Sequence, residues 1–235
     1  REKNSEGRNM YLTLQEARGK YLYVCEGDDY WVGVDGLQTL LDWLEDHKEY
    51  VGVCGRRATL SEKSGFMSLT YDKATDHGIV NLQDFLDNKK CVDACAMLTR
   101  NFYHDGKYDY RSYLASSRVG DLTLMVYVLL HGDLFQLDKI VGVYRSDRIK
   151  GAGSYNEATP DKKKFEEHME LISNLPKLIP EKLDYAKRKE VYADWYIFSL
   201  PSTYEFIKNI PYLQRKIGIR RTLNCIRKWV KSVRT

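Results

Sequence analysis

Three carboxylates occupy four consecutive positions in the stretch KYLYVCEGDDYW, which begins at residue 20. Glu26, Asp28 and Asp29 follow an apolar run that predicts a buried strand over 21–25. Carboxylates this close together repel one another unless a cation neutralises them, and hard divalent ions such as Mg²⁺ or Mn²⁺ prefer oxygen ligands. The spacing therefore predicts either a divalent-metal site or a solvated acidic turn that precedes the next helix.

A metal site of this kind has a natural ligand. Mg²⁺ usually keeps coordination positions for water and phosphate oxygens, so the loop suits a nucleoside diphosphate, and Gly27 allows the backbone to come close. The loop lies between a strand and a helix, where ligands bind in open α/β sheets. Tyr30 and Trp31 end it, and their rings are predicted either to wall the site or to pack in the core.

The elements that must position this loop alternate between helix and strand. A helix is predicted over 9–18, and Asp35 is placed to cap a second one whose leucines repeat at helical spacing. A turn-rich insert around SEKSG predicts a hairpin, and CVDACAMLTR and LFQLDKIVGVYR each predict a strand. This alternation predicts an α/β layered fold.

Asp121 stands at the start of a helix that is apolar on nearly every side and that Gly132 closes, so this helix is expected to be central. Asp121 is either a plain helix N-cap or a carboxylate that takes part in chemistry. Beyond Gly151 the pattern changes, and residues 156–235 predict a helical extension appended to 1–155. Four prolines are expected to break its helices: Pro176, Pro180, Pro201 and Pro211.

The C-terminal stretch concentrates positive charge. Residues 207–235 contain nine basic residues and no acidic one, and removing these charges from the net charge of +4 leaves −5 for the rest. Such a segment either contacts an anionic membrane surface or docks on the protein with a solvated outer face; nucleic acid is not an expected partner, because no recognition motif is visible. Its apolar residues step by four and three positions, as on one helix face: Ile219, Leu223, Ile226, Val230 and Val233.

Two segments in this order resemble family 2 glycosyltransferases. ARGKYLYVCEGDDYW resembles the strand and acidic loop of that family, and VGDLTLMVYVLLHGDLFQLDKIVGVYRSD resembles its segment with a G-D pair and a terminal Y-R, roughly 90 residues later. The resemblance covers about residues 2–154. It implies a partial GT-A fold: a mixed sheet with flanking helices, followed by the helical extension.

The resemblance also implies an activity, namely the inverting transfer of a sugar from a nucleotide-diphosphate sugar to a hydroxyl of a saccharide or lipid-linked acceptor. Mg²⁺ or Mn²⁺ would be held by Glu26, Asp28 and Asp29. Asp121 matches the catalytic base. The resemblance places further contacts at substrate-binding Tyr30, Trp31, Gly120 and Arg145, and at nucleotide-binding Asn9 and Arg18. For Arg145 a surface ion pair is the alternative, and Asp147 stands where the family often has a histidine.

The βαβ unit that grips the nucleotide base in that family is not in this sequence, so the isolated chain is expected to be inactive. The scattered, odd number of cysteines favours a reducing compartment, and the expected location is the cytoplasm, at the inner face of the plasma membrane. A non-catalytic module that binds a membrane surface or a partner is the alternative function. A glycoside hydrolase is disfavoured, because it needs one carboxyl held protonated in a separate niche.

Overall fold

The computed structural model describes residues 8–69, 77–109, 120–146, 159–179 and 182–233. The first elements along the chain are α1 (Arg8–Glu16), β1 (Tyr21–Tyr23), β2 (Tyr30–Trp31), α2 (Gly36–Asp46), β3 (Gly52–Ser61), β4 (Met67–Leu69), β5 (Gly78–Val80) and α3 (Leu82–Leu86). A 3₁₀ turn (Ala94–Ala96) follows, and then β6 (Met97–Arg100), α4 (Gly120–His131), β7 (Leu134–Ser146), α5 (Asp161–Leu178), α6 (Ala186–Phe198), α7 (Thr203–Ile217) and α8 (Ile219–Val233).

The sheet is built around two long parallel strands, β3 and β7, which run side by side to Ser61 and Ser146. Beside their first halves lie β6, with β1 outside it, and β5. Beside their second halves lie β4 and β2, and all these flanking pairings are antiparallel. The predicted mixed sheet is confirmed, and so is the hairpin, which is β3 paired with β4. The carboxyl ends of β3 and β7 meet at one edge.

Helices cover both faces of the sheet because alternate strand residues point to opposite sides. Leu40 and Leu44 of α2 pack on Val53, Leu98 and Val141 from one face. On the other face lies α4, in which every residue from 122 to 130 is buried. The expectation of a central helix is therefore correct, since α4 is enclosed between the sheet and α5.

The helical extension has a second core that α5 joins to the first. Leu171, Ile172 and Leu175 of α5 pack with α4, whereas Phe165 and Met169 pack with the later helices. The residues of α6, α7 and α8 in this second core include Ala193, Tyr196, Ile197, Phe206, Leu213, Ile217 and Cys225. Among the described helices, none is long and apolar enough to span a bilayer.

Two of the predicted helix breaks are wrong. Pro176 lies in the last turn of α5 and Pro211 lies within α7. A proline removes one backbone hydrogen bond, but α7 continues because Phe206, Leu213 and Ile217 are buried on both sides of Pro211. Pro201 does separate α6 from α7 as predicted, and Pro180 lies outside the described residues.

Two local predictions also need correction. In CVDACAMLTR only the last four residues form a strand, because Ala94–Ala96 make a 3₁₀ turn. Asp35 stands at the N-cap position of α2 but its side chain makes no capping hydrogen bond. Its backbone is helical rather than extended, and the carboxylate instead accepts a hydrogen bond from Lys139 Nζ at 2.7 Å.

Candidate active site

The acidic loop that follows β1 lies against the carboxyl end of β7. A turn closes it, with the Asp29 amide donating to the Glu26 carbonyl at 3.0 Å. From there the chain enters β2, which pairs with Val143 and Gly142 of β7. The three carboxylates therefore sit at the edge where β3 and β7 end, which is where open α/β sheets bind ligands.

Arg145 of β7 clamps this loop. Its backbone amide donates to Asp29 Oδ1 at 3.2 Å, and its Nε donates to the Asp28 carbonyl. The same guanidinium forms an ion pair with Glu62, Nη1 to Oε1, at 2.9 Å. The structure thus shows Arg145 in an ion pair, which was the alternative to a contact with the diphosphate. The same residue also holds the loop in position through its two hydrogen bonds. Its contact with a diphosphate stays a prediction.

A further acid, the partly buried Asp93, lies near the loop. Asp93 pairs with Arg57 of β3, with 3.3 Å between Oδ2 and Nε, and the guanidinium lies 4.8 Å from the ring centre of Tyr144. Burial raises the pKa of Asp93, as do the charges of Asp121 and Asp29, against the lowering influence of Arg57. The site therefore contains a carboxylate that is compensated by an arginine.

Asp121, in the first turn of α4, lies within electrostatic range of the loop. Burial of the Glu26 carboxyl, followed by the charges of Asp121, Asp29 and Asp28, raises the pKa of Glu26 to about 7. Glu26 as a whole residue is exposed, so the like charges of the neighbouring carboxylates act on a side chain that a ligand can reach. The fold thus brings together carboxylates that are about 90 positions apart in sequence.

The carboxylate oxygens of the loop are the ligand type that a hard cation prefers, but these side chains do not surround an ion on their own. Among the residues that the structure describes, no three His, Cys, Asp or Glu side chains are arranged to hold a metal ion. Burial raises the pKa of Asp29, and the hydrogen bonds that its carboxylate already accepts from the Arg145 amide and the Cys95 thiol oppose this rise. Mg²⁺ is commonly bound by one or two carboxylates plus substrate phosphates. Glu26 and Asp28 fit such an ion in the company of a diphosphate.

The two aromatic residues after the loop lie at the surface rather than in the core. Tyr30 is 39% exposed and Trp31 is 48% exposed. The Trp31 ring meets Tyr23 edge to face, with 5.1 Å between ring centres, and the Tyr23 hydroxyl donates to the Cys95 carbonyl. The core-packing alternative is therefore wrong, and both rings are accessible beside the carboxylates.

The helical extension lies within electrostatic range of Asp121. Burial lowers the pKa of His168 in α5 and the charge of Asp121 opposes this, whereas burial raises the pKa of Tyr192 in α6 and the charge of Asp121 adds to the rise. The His168 ring lies 4.4 Å from that of Tyr192, and its Nδ1 is 2.7 Å from the Lys164 carbonyl. Residues after 156 thus contribute to the surroundings of Asp121.

The remaining predicted contacts are spread over the neighbourhood. Gly120 begins α4, and a Cβ there would lie 3.3 Å from Met10 Cε of α1. Arg18 is exposed just after α1, and Asn9 lies in α1 with its side chain outside the described part. Nothing in the geometry tests the assignment of Arg18 or Asn9 to a nucleotide.

Comparison with solved structures identifies the architecture. The chain superposes on Staphylococcus aureus TarS 1-349, solved with UDP-GlcNAc, with a TM-score of 0.58 over 94% of this chain and 65% of that one, at 14% sequence identity. TarS is a GT-A-like glycosyltransferase. This chain has a glycosyltransferase-like fold.

Sequence comparison gives less information about this chain than the structural comparison does. No protein-family profile matches the chain. It is 26% identical over 163 residues to uncharacterized protein Rv1520 of Mycobacterium tuberculosis H37Rv and, equally, to uncharacterized protein Mb1547 of Mycobacterium bovis. The matched region makes up 67% of this chain and 42% of the length of each relative.

Sequence reasoning missed Asp93, Arg57, His168 and Tyr192. Asp93 was placed inside a predicted strand, although an acid in an otherwise apolar segment was a signal that it needs a partner. Arg57 had a comparable signal, since two arginines interrupt the apolar strand β3. His168 and Tyr192 had none, because only the packing of the extension brings them to Asp121.

Proposed function

We propose that this protein is an inverting glycosyltransferase of the family 2 type, which moves a sugar from a nucleotide-diphosphate sugar to an acceptor hydroxyl. The acceptor would be a saccharide or a lipid-linked saccharide. The observation that supports this best is that the charge of Asp121 acts on Glu26 of the acidic loop, at the edge of a glycosyltransferase-like sheet. Two separate segments had to fold together to produce it.

In this proposal Asp121 is the general base. Its carboxylate accepts the proton of the acceptor hydroxyl while that oxygen bonds to the anomeric carbon and the bond to the diphosphate breaks. One displacement inverts the anomeric configuration, so a second carboxylate is not needed as a nucleophile. Tyr30 and Trp31, both accessible, would flank the bound sugar through their ring faces.

Glu26 and Asp28, with Asp29, would hold Mg²⁺ or Mn²⁺. The ion, when bound, supplies positive charge that stabilises the departing nucleoside diphosphate. Arg145 keeps the loop in place through its bond to the Asp28 carbonyl and its amide bond to Asp29. Because Asp29 is already hydrogen-bonded, we expect Glu26 and Asp28 to contribute most to affinity for the ion.

The donor set predicts that metal and diphosphate bind together. Mn²⁺ is titrated into the protein by electron paramagnetic resonance, alone and with UDP, the nucleotide portion of the donor in the TarS structure. We expect weak binding of Mn²⁺ alone and at least tenfold tighter binding with UDP, because the diphosphate meets the ion directly and this contact does not need the unit that grips the nucleotide base. Asp28→Asn should abolish this gain, whereas Asp46→Asn, on an exposed residue of α2, should leave it unchanged.

A non-catalytic module is the second candidate. It would show no coupling between Mn²⁺ and UDP, and Asp28→Asn would not differ from Asp46→Asn. Such a result would remove the proposed sugar transfer.

A further inference from the structure

Helix α8 leaves part of its apolar face uncovered. Ile219 is 66% exposed and Leu223 is 46% exposed, although the helix has the strongest separation of apolar and polar faces among the described helices. Thr222 and Cys225 are buried in the second core. The apolar stripe predicted from the sequence is therefore only partly used for docking.

The orientation of α8 is fixed by contacts on two neighbouring helices. Trp229 stacks on Phe206 of α7 with 4.4 Å between ring centres. Lys228 forms ion pairs with Glu190, at 2.8 Å, and with Asp194 of α6. With these anchors in place, the uncovered side cannot turn inward without breaking them.

On the uncovered side of α8, apolar and cationic side chains occupy separate sectors of the helix. At about 100° per residue, Ile219, Leu223 and Val230 fall within a sector of about 40°. The adjoining sector of the helix carries the exposed cations, and Lys228 points about 160° away from the middle of the apolar strip, toward α6. The exposed cations are Arg220, Arg227 and Lys231. We call these six residues, apolar and cationic, the α8 strip.

We propose that the α8 strip binds the surface of an anionic lipid bilayer, with α8 lying in the plane of the interface. An interfacial helix inserts an apolar edge at the boundary of headgroups and acyl chains, and cations beside that edge meet the lipid phosphates. Residues 207–235 carry nine basic residues and no acidic one, so nothing in this segment opposes that attraction. The apolar edge is narrow and bordered by arginines, which suits headgroups better than the broad apolar centre of a stable protein interface.

This inference does not depend on the proposed sugar transfer. It stands on α8 alone, and the Mn²⁺ titration and the experiment below can fail separately. If both hold, the carboxylate site would work beside a membrane, as a lipid-linked acceptor requires.

The test is sedimentation with vesicles of phosphatidylcholine alone or with 30% phosphatidylglycerol, at physiological ionic strength. We expect the protein to sediment with the anionic vesicles and not with the neutral ones. The triple variant Arg220→Gln, Arg227→Gln, Lys231→Gln should lose at least tenfold in partitioning, and Leu223→Ser with Ile219→Ser should lose a similar amount. Circular dichroism checks that the variants remain folded, which is expected because these side chains lie outside the second core.

A matched control removes three cations from the neighbouring helix α7: Lys208→Gln, Arg215→Gln and Lys216→Gln. It should retain most of the binding. Equal losses in the two triple variants would show non-specific attraction and overturn the proposal. So would equal binding to neutral vesicles, or a dimer in sedimentation velocity that Leu223→Ser dissociates, because the strip would then be occupied by a second copy.

Discussion

Arg57 pairs with Asp93 beneath the acidic loop, with 3.3 Å between Nε and Oδ2 and with side chains only 18% and 20% exposed. Asp93 also lies in the field of Asp29 and Asp121. The arginine therefore compensates a carboxylate that would otherwise add to a cluster of negative charge. Burial and the neighbouring carboxylates raise the pKa of Glu26, and Arg57 opposes this rise, so its influence extends into the loop.

Replacing Arg57 by methionine should destabilise the protein, because it leaves Asp93 without a positive partner in a largely buried position. We expect a loss of about 2–3 kcal/mol in the free energy of unfolding, somewhat below the value for a fully buried pair. Urea denaturation of Arg57→Met, Asp93→Asn and the double variant forms a mutant cycle. The double variant should recover part of the loss, and strict additivity would contradict this coupling. Lys20→Met, in an exposed pair with Glu45, serves as a control and should change stability little.

Asp93 should also make stability depend on pH. Burial raises its pKa above the ordinary 3.8, so between the unfolded and folded pKa values the folded state holds more protons. The free energy of unfolding contributed by this group therefore falls as pH rises from about 4. Denaturation of the wild type and of Asp93→Asn across the range from pH 4 to 7 should show the wild type losing stability relative to the variant. A relative gain would mean that Arg57 outweighs burial.

Arg145→Lys tests the clamp on the loop. Lysine keeps a positive charge but cannot reproduce the guanidinium contacts with both Glu62 and the Asp28 carbonyl. Residues that orient metal ligands typically contribute 10–100-fold to affinity, so we expect Mn²⁺ with UDP to bind about tenfold or more weakly. Glu62→Gln removes the ion pair but leaves the arginine bond to the Asp28 carbonyl, and should have a smaller effect. If Glu62→Gln weakens binding as much, the ion pair matters rather than the clamp.

The variant Asp121→Asn tests whether Asp121 acts in the transfer step rather than in the binding of Mn²⁺ and UDP. An asparagine retains the shape and helix-start preference of aspartate but cannot accept the proton of the acceptor. In an assay of sugar transfer, kcat should fall by about 10²–10⁴ while Mn²⁺ with UDP binds as before. A variant with normal kcat would leave Asp121 as a residue of the helix start alone. Matched melting temperatures show whether the loss reflects folding.

Substitutions of two glycines separate a close approach of ligand to the backbone from tight packing within the protein. A Cβ on Gly27 would meet nothing within 4 Å, so Gly27→Ala should leave stability unchanged. If a diphosphate approaches this backbone, the same variant should bind UDP about tenfold more weakly, comparable to a lost hydrogen bond to a charged group. A Cβ on Gly142 would lie 2.5 Å from the Cys95 carbonyl, so Gly142→Ala should lose about 1–3 kcal/mol of stability. Unchanged UDP affinity in Gly27→Ala would place the diphosphate elsewhere.

The local sequence was sufficient to predict an element wherever its structure depends on residues within one short stretch. The central helix after Asp121 was predictable because an apolar run of this length must be enclosed on all sides. The hairpin β3–β4 follows from residues that are neighbours in the chain. The acidic loop was visible for the same reason.

Only the tertiary structure decided which distant groups meet. The pairing of Asp93 with Arg57 and the clamp of Arg145 on the loop join residues from different elements, and their distances depend on strand order. The packing of the helices likewise brings His168 within range of the charge of Asp121. For α8, periodicity predicted one apolar face, but the contacts of Trp229 and Lys228 determined which part of that face is buried. Sequence thus determined the chemical groups and their local conformation, because these depend on near neighbours. The fold determined their partners, because burial and charge act through space between residues far apart in the chain.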